Sequence, residues 1–338
     1  MTVIMTVIKL EYVWLDGDGK SRSKTKILNN IDISSINNIP EWNYDGSSTN
    51  QAIGSYSEVI LKPCVIYPDP FRKENNKLIL CETYNPDGTP HVSNTRYNAM
   101  QIFKKYTEQF SMYGIEQEFF ITKNNIPLGL TCENELKHNT NYYCGVGGET
   151  SGKCREYMEE VINNCIYSGI QLTGMNAEVS PSQWEIQICD LDINASDQLI
   201  ISRYIMERTS EKYGWTINYE PKLCNYWNGS GCHVNFSTKQ MRDANGYNAI
   251  INAIEKLEKK HSNHMNVYGK DNEKRMTGKH ETSNYNNFSY GVANRGASIR
   301  IPCDTHKNNC GYFEDRRPAA NMDPYSVTSL ILQTINTN

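Results

Sequence analysis

A chain of 338 residues with 34 Lys plus Arg against 38 Asp plus Glu carries a formal charge of -4, with the two signs interspersed. No basic stripe could neutralise a phosphodiester backbone, so no nucleic-acid partner is expected, and no apolar run approaches the roughly twenty residues that cross a bilayer. The 11 cysteines are odd in number, form no C-x-x-C pair and lie scattered, as reduced thiols do in a cytoplasmic protein.

The opening MTVIMTVIKLEYVWL is interrupted by Lys9 and Glu11 and reads as a β-strand rather than a signal. Through residue 92 apolar and polar positions alternate between turns such as DGDG at 16–19 and PDG at 86–88, which predicts a small, mostly β domain over 1–92. From Asn94 the period lengthens: Met100, Phe103, Tyr106 and Phe110 recur at helical spacing, with Gly114 as the expected stop. A second domain is therefore expected over 93–338, with helices over 152–167 and 196–213, another around Ile250, Ile251, Ile254 and Leu257, and a last one started by Asp323 and Pro324. The mixture gives an α+β fold class. The segment 269–289 is polar and charged with almost nothing to bury, which predicts a lid or binding loop, disorder being the bland alternative.

Acidic residues carry the chemistry. In GIEQEFF (114–120) alternation puts Glu116 and Glu118 on one strand face and Ile115, Gln117 and Phe119 on the other. A solvated face would tolerate two glutamates, but the apolar flanks argue against one. NAEVSPSQWEIQI (176–188) places Glu178 before a Ser-Pro-Ser turn and Glu185 after it, so adjoining strands could present both carboxylates together. In NYWNGSGCHVNF (225–236) His233 and Asn235 share a face, although a single histidine is more often structural than a ligand. GYFEDRRPAAN (311–321) packs Glu314, Asp315, Arg316 and Arg317 together, which is ordinarily a solvated ion-pair patch. If the five glutamates and His233 converge, the cavity needs about two or three divalent cations to offset the repulsion. Phosphate loops of the Walker type are absent, since Trp14 stands where GKS at 19–21 would need glycine, and Ile27 stands where a calcium loop begun at Asp16 would need glutamate.

These motifs, with EWNYDGSST (41–49), DPFR (69–72), YYCGVG (142–147), NGSGCHVNFST (228–238), TGKHETS (277–283) and GVANRGASIRIP (291–302), run in one order along nearly the whole chain. Together they resemble glutamine synthetase, and specifically the eukaryotic-type (class II) enzymes. The resemblance implies an N-terminal β-grasp domain followed by a catalytic domain on a curved antiparallel sheet, assembled as a decamer of two stacked rings with active sites between subunits. It implies ATP-dependent ligation of ammonia to L-glutamate through a γ-glutamyl phosphate, with two to three Mg²⁺ or Mn²⁺ per site. By the same resemblance Glu118, Glu178 and Glu185 would hold the metal near glutamate, while Glu116, His233 and Glu314 would hold the metal between the ATP phosphates, with Glu178 also near the nucleotide. Arg275, Asn228 and Gly229 would bind glutamate, and Arg295, Arg300 and Arg316 would surround the phosphates. Asp45, offered by a neighbouring subunit, and Glu281 in the polar segment would attract ammonium and take its proton. Arg317 would act as a phosphate ligand or as a brace through an ion pair. Ser180, Ser182, Cys189 and Cys303 depart from the usual pattern, which bears on substrate affinity and regulation. An alkylamine ligase would share everything but the amine pocket, and Asp45 and Glu281 favour ammonia.

Overall fold

The computed structural model describes residues 7–54, 56–130, 142–147 and 149–337, so the first six residues and Cys132 lie outside the described residues. The first sheet is built from β1 (Val7–Leu15), β2 (Ser21–Asn29), β3 (Trp42–Asp45), β4 (Glu58–Pro68) and β5 (Lys77–Tyr84) in the order β2-β1-β5-β4-β3, antiparallel except for the β1–β5 pair. The DGDG turn closes the first hairpin because Asp16 Oδ1 accepts from the amides of Asp18 and Lys20, both at 2.9 Å, while Gly19 supplies a φ of +76°.

The second sheet comprises β6 (Met112–Lys123), β7 (Ile126–Pro127), β8 (Leu172–Ala177), β9 (Gln183–Leu191), β10 (Thr216–Asn218), β11 (Cys232–Ser237), β12 (Tyr290–Val292), β13 (Ile299–Ile301) and β14 (Phe313–Asp315). Its main order is β12-β13-β14-β11-β6-β9-β8, antiparallel except between β12 and β13. This is the α+β class that the sequence predicts, and its second sheet is largely antiparallel, as the resemblance implies.

The helices are α1 (Thr95–Lys105), α2 (Glu149–Tyr167), α3 (Asp192–Tyr213), α4 (Lys239–Arg242), α5 (Tyr247–Lys259), α6 (His261–Met265), α7 (Cys303–Asn308) and α8 (Pro324–Asn336). The start of α8 predicted at Asp323 and Pro324 is found: the Asp323 carboxylate accepts from the amides of Tyr325 and Ser326. Helix α3 starts at Asp192 rather than Ser196 and is buried along most of its length, so no amphipathic stripe marks its first turn. The expected stop at Gly114 is wrong. The helical stretch ends at Phe110, in the left-handed region at φ +45°, and Gly114 lies inside β6, where an added Cβ would sit 3.2 Å from that of Asn235 on the paired strand.

One apolar cluster runs from Val13, Leu78 and Leu80 of the first sheet through Phe103, Ile115, Ile186 and Ile205 to Ile331 of α8. Arg96 reinforces the junction. Its guanidinium donates to Glu82 at 2.7 Å on one side and forms two 2.8 Å bonds with the buried Asp197 of α3 on the other.

Candidate active site

Alternation along β6 buries Ile115, Gln117 and Phe119 in the core and sends Glu116 and Glu118 to the opposite face. Strand register then brings the remaining candidate ligands to that face. Glu118 stands opposite Glu185 on β9, Glu116 stands opposite His233 on β11, and Asn235, two residues further along β11, stands opposite Glu314 on β14. Glu178 enters from the turn between β8 and β9, pinned by its amide on the Gln183 carbonyl at 2.8 Å. The result is two triads, Glu118–Glu178–Glu185 and Glu116–His233–Glu314, in each of which the donor atoms lie within 4.8 Å of one another. The triads adjoin, because His233 Nδ1 lies 3.3 Å from Glu116, 3.5 Å from Glu314 and 3.9 Å from Glu118.

Charge distinguishes them. Each pair of like charges at such spacing costs about 3 kcal/mol at an effective dielectric of about 20, and among the described residues no arginine is bonded to the first triad. Burial, followed by repulsion from Glu178 and Glu185, holds the Glu118 carboxyl well above the ordinary range. Burial lifts Glu178 to about 7, and burial with Glu116 lifts Glu185 to about 8. The hydrogen-bond partners of these carboxylates are neutral amides: Asn176 donates to Glu178 at 2.9 Å, Gln183 to Glu118 at 3.3 Å and Gln187 to Glu185 at 2.7 Å. Glu118 also accepts from the Gly231 amide at 2.8 Å. Amide donors orient a carboxylate without neutralising it, so the negative charge is left for a cation. In the second triad Glu314 is instead gripped by Arg300 and by Arg316, the latter at 2.7 Å. Burial, with Arg316 next, pushes His233 well below its usual value, which keeps the imidazole neutral and able to ligate. Five carboxylates and one imidazole suit Mg²⁺ or Mn²⁺ better than zinc.

A pocket beside the first triad is lined by Asn228, Gly229, Arg275, Glu281 and Arg316 together with Glu118, Glu178 and His233. Arg275 is buried, and its guanidinium is fixed by the carbonyls of Arg316 and Arg317, at 3.0 and 2.7 Å, and by Asn272 at 3.1 Å. Burial lowers its pKa to about 10, which still leaves it charged at neutral pH. Gly229 and Gly231 must be bare here: a Cβ on Gly229 would fall 2.4 Å from the Pro221 carbonyl, and one on Gly231 would fall 2.5 Å from His233 Nε2. At the mouth, Arg295 Nη1 lies 3.8 Å from the Glu281 carboxylate, and Arg316 Nη2 donates to the Glu281 carbonyl at 3.3 Å. On the far side of Glu116 a cleft of about 420 Å³ is lined by Gln187, Cys189, Asn235, Ser237, Arg242 and Tyr312 among others.

Two expectations need correction. The 269–289 segment is not uniformly free of buried groups: Asn272, Arg275, Met276 and Ser283 are buried, so its first part is packed framework. The exposed tip is a small loop closed by the Thr277–Asn284 bridge and a 2.9 Å bond from the Tyr285 amide to the Met276 carbonyl. Nor is the 314–317 cluster a solvated patch, since Glu314, Asp315 and Arg317 are fully buried. Arg317 is paired with Asp315 at 2.7 Å, the contact that a brace would make. Asp45 is the predicted residue that this chain does not bring to the pocket. It lies exposed at the end of β3, where its carboxylate caps a short turn through the Ser47 amide at 2.9 Å.

The sequence profile "Glutamine synthetase, catalytic domain" matches residues 93–336. The chain belongs to the glutamine synthetase family. Among the glutamine synthetases it resembles, one described as putative from Acanthamoeba polyphaga mimivirus is 49% identical over 333 residues, covering 96% of this chain and 93% of that one. The Candida glabrata glutamine synthetase is 48% identical over 334 residues, covering 96% and 88%, and a cytosolic isozyme of Pinus sylvestris is 47% identical over 331 residues, covering 96% and 92%. The Plasmodium falciparum glutamine synthetase shares the fold, with a TM-score of 0.77 at 16% identity over 97% of this chain and 71% of that one. Of the positions that depart from the family pattern, Cys189 lines the large cleft, Cys303 is exposed, and Ser182 takes a φ of +56° while its hydroxyl donates to the Ile121 carbonyl at 2.8 Å. Sequence reasoning missed the amides Asn176, Gln183 and Gln187, and placed Asn235 on the face of His233 without giving it a role. The signal was present, because each stands two residues from a ligand in strand or strand-edge sequence and therefore shares its face.

Proposed function

We propose that this chain is an ATP-dependent glutamate–ammonia ligase of the eukaryotic class II type, acting in the cytoplasm as a ring-stacked decamer. Residues 1–92 would be its β-grasp domain and 93–338 its catalytic domain. Mg²⁺ or Mn²⁺ would be held by the Glu118–Glu178–Glu185 and Glu116–His233–Glu314 triads; when bound, such ions offset the charge of the phosphates and of the substrate carboxylate.

Arg275, immobilised by three carbonyls, binds the glutamate α-carboxylate beside Asn228 and Gly229. The nucleotide base and ribose occupy the cleft next to Glu116, which directs the phosphates towards Arg295, Arg300 and Arg316. A γ-carboxylate oxygen of glutamate bonds to the γ-phosphorus as ADP leaves, and the arginines stabilise the charge spread over the transferring group. Ammonium is attracted by Glu281 and by Asp45 of a neighbouring subunit, loses its proton to a carboxylate, and as ammonia displaces phosphate from the acyl carbon. The 277–284 tip covers the intermediate and excludes water. The location of Asp45 supports a site shared between subunits: it is remote from the pocket of its own chain, and the loop that follows exposes Ile53 and Tyr56 at 96% and 87%.

The observation that carries this reading is the pair of adjoining ligand triads beside a caged arginine, in a chain of this family. The test is oxygen transfer. Glutamate labelled with ¹⁸O in its γ-carboxylate should deliver one label to the released phosphate for each glutamine formed, whereas unlabelled phosphate would rule out the acyl-phosphate route.

A further inference from the structure

Behind the site lies a buried chain of polar groups that the proposed chemistry does not use. Arg317 pairs with Asp315 through two bonds of 2.8 and 2.7 Å, and the Tyr268 hydroxyl donates to the same carboxylate at 2.7 Å. His261, at the start of α6, bridges the base of the lid tip and the Arg317–Asp315 pair. Its Nε2 lies 2.9 Å from the carbonyl of Tyr285, at the base of the lid tip, and its Nδ1 lies 3.1 Å from Arg317 Nη1.

The partners fix the tautomer. A carbonyl can only accept, so Nε2 carries the proton; a guanidinium can only donate, so Nδ1 is a bare lone pair. The ring is therefore neutral with both nitrogens engaged, and burial, with the adjacent Arg317 opposing a second proton, holds it below the usual histidine value. Phe288 closes its edge, with ring centroids 5.8 Å apart. The Tyr285 amide in turn bonds Met276, next to Arg275, and the Arg317 carbonyl is one of the groups that cage Arg275. One imidazole thus ties the closing strand of the lid to the backbone that holds the substrate arginine.

Resting on the ligase reading, we infer that His261 is a positioning residue for lid closure, which holds the base of the 277–284 tip in register with Arg317 so that the acyl phosphate meets ammonia and not water. Loss of its Nε2 arm should uncouple the reaction. The acyl phosphate would still form, but part of it would hydrolyse, with water attacking in place of ammonia and returning glutamate and phosphate.

The two arms can be separated by substitution. His261→Gln places an amide N–H near the Nε2 position and keeps the bond to Tyr285, whereas His261→Asn places an oxygen near the Nδ1 position and keeps only the bond to Arg317. Phosphate release and glutamine formation are measured together at saturating ammonium and glutamate. The wild-type ratio should be close to one, that of His261→Gln should stay close to one, and that of His261→Asn should rise at least two-fold. An unchanged ratio in His261→Asn, or an equal rise in both variants, would overturn the inference while leaving the ligase intact. Wild-type protein that makes no glutamine would instead overturn the ligase reading, and this inference with it.

Discussion

At the scale of single residues the first triad is a store of unfavourable charge. Glu118, Glu178 and Glu185 bind protons more tightly folded than unfolded, so the metal-free protein loses stability as pH rises from about 4.5, through the values of about 7 and 8 to which burial lifts Glu178 and Glu185. A divalent cation must displace those protons, so its affinity moves in the opposite direction, strengthening with pH until the same values are passed. The rise in Tm produced by saturating Mn²⁺ should therefore be larger at pH 8 than at pH 6, as read by calorimetry. A rise independent of pH would show that these carboxylates are not the ligands. The neighbouring glycines are constrained as strongly as the acids. Gly229→Ala would force its Cβ against the Pro221 carbonyl and the Arg275 side chain, at 2.4 and 2.5 Å. Overpacking of this kind costs about 1–3 kcal/mol, and because it acts on the substrate arginine the glutamate KM should rise roughly ten-fold, with a smaller change in the KM for ATP.

Among the elements, strands are where the sequence is most informative and loops where it is least. The two-residue period of GIEQEFF places Glu116 and Glu118 correctly because β6 is central and its other face is core. Register could not be read the same way. That Glu118 faces Glu185 and Glu116 faces His233 is settled by pairing between segments about seventy and more than a hundred residues apart, a long-range choice with no local signature. The family resemblance supplied that grouping; periodicity did not. The lid boundaries were misjudged for a related reason. Asn272 and Arg275 are polar, yet they are buried because backbone carbonyls satisfy them, and burial of that kind is invisible to a polarity reading. The exposed tip keeps Gly278, His280 and Glu281 at positive φ, a conformation the last two do not favour, so it is held by contacts at its base and to Arg316. Glu281→Ala should spare acyl-phosphate formation, measured as glutamate-dependent isotope exchange between ADP and ATP, while lowering amide formation roughly 100-fold or more. Equal loss of both would remove Glu281 from the ammonium step.

In the proposed ligase, one copy does not complete the site. Both triads lie on strands of the second sheet or the turn between β8 and β9, and Arg275 follows the short turn Asn272–Lys274, whereas Asp45 sits at the end of β3 in the first sheet, exposed and outside the pocket. Nothing in its local sequence distinguishes it from an ordinary turn aspartate, and its proposed role rests on the resemblance alone. Asp45→Ala and Glu118→Ala subunits, each inactive alone, should recover activity when unfolded and reassembled together, because some interfaces would pair an intact Asp45 with an intact triad. Hybrid assemblies verified by native mass spectrometry yet wholly inactive would place the ammonium site within one subunit. The most direct test of the central claim, that the buried glutamates hold divalent ions which make glutamate reactive towards ammonia, is glutamine formation from glutamate, ATP and ¹⁵N-ammonium in chelator-treated protein titrated with Mg²⁺. Labelled glutamine should appear in step with the added ion, at one ADP per glutamine, and should be lost in Glu118→Ala. Glutamine formed without any divalent ion, or none formed at saturating Mg²⁺ and Mn²⁺, would contradict it.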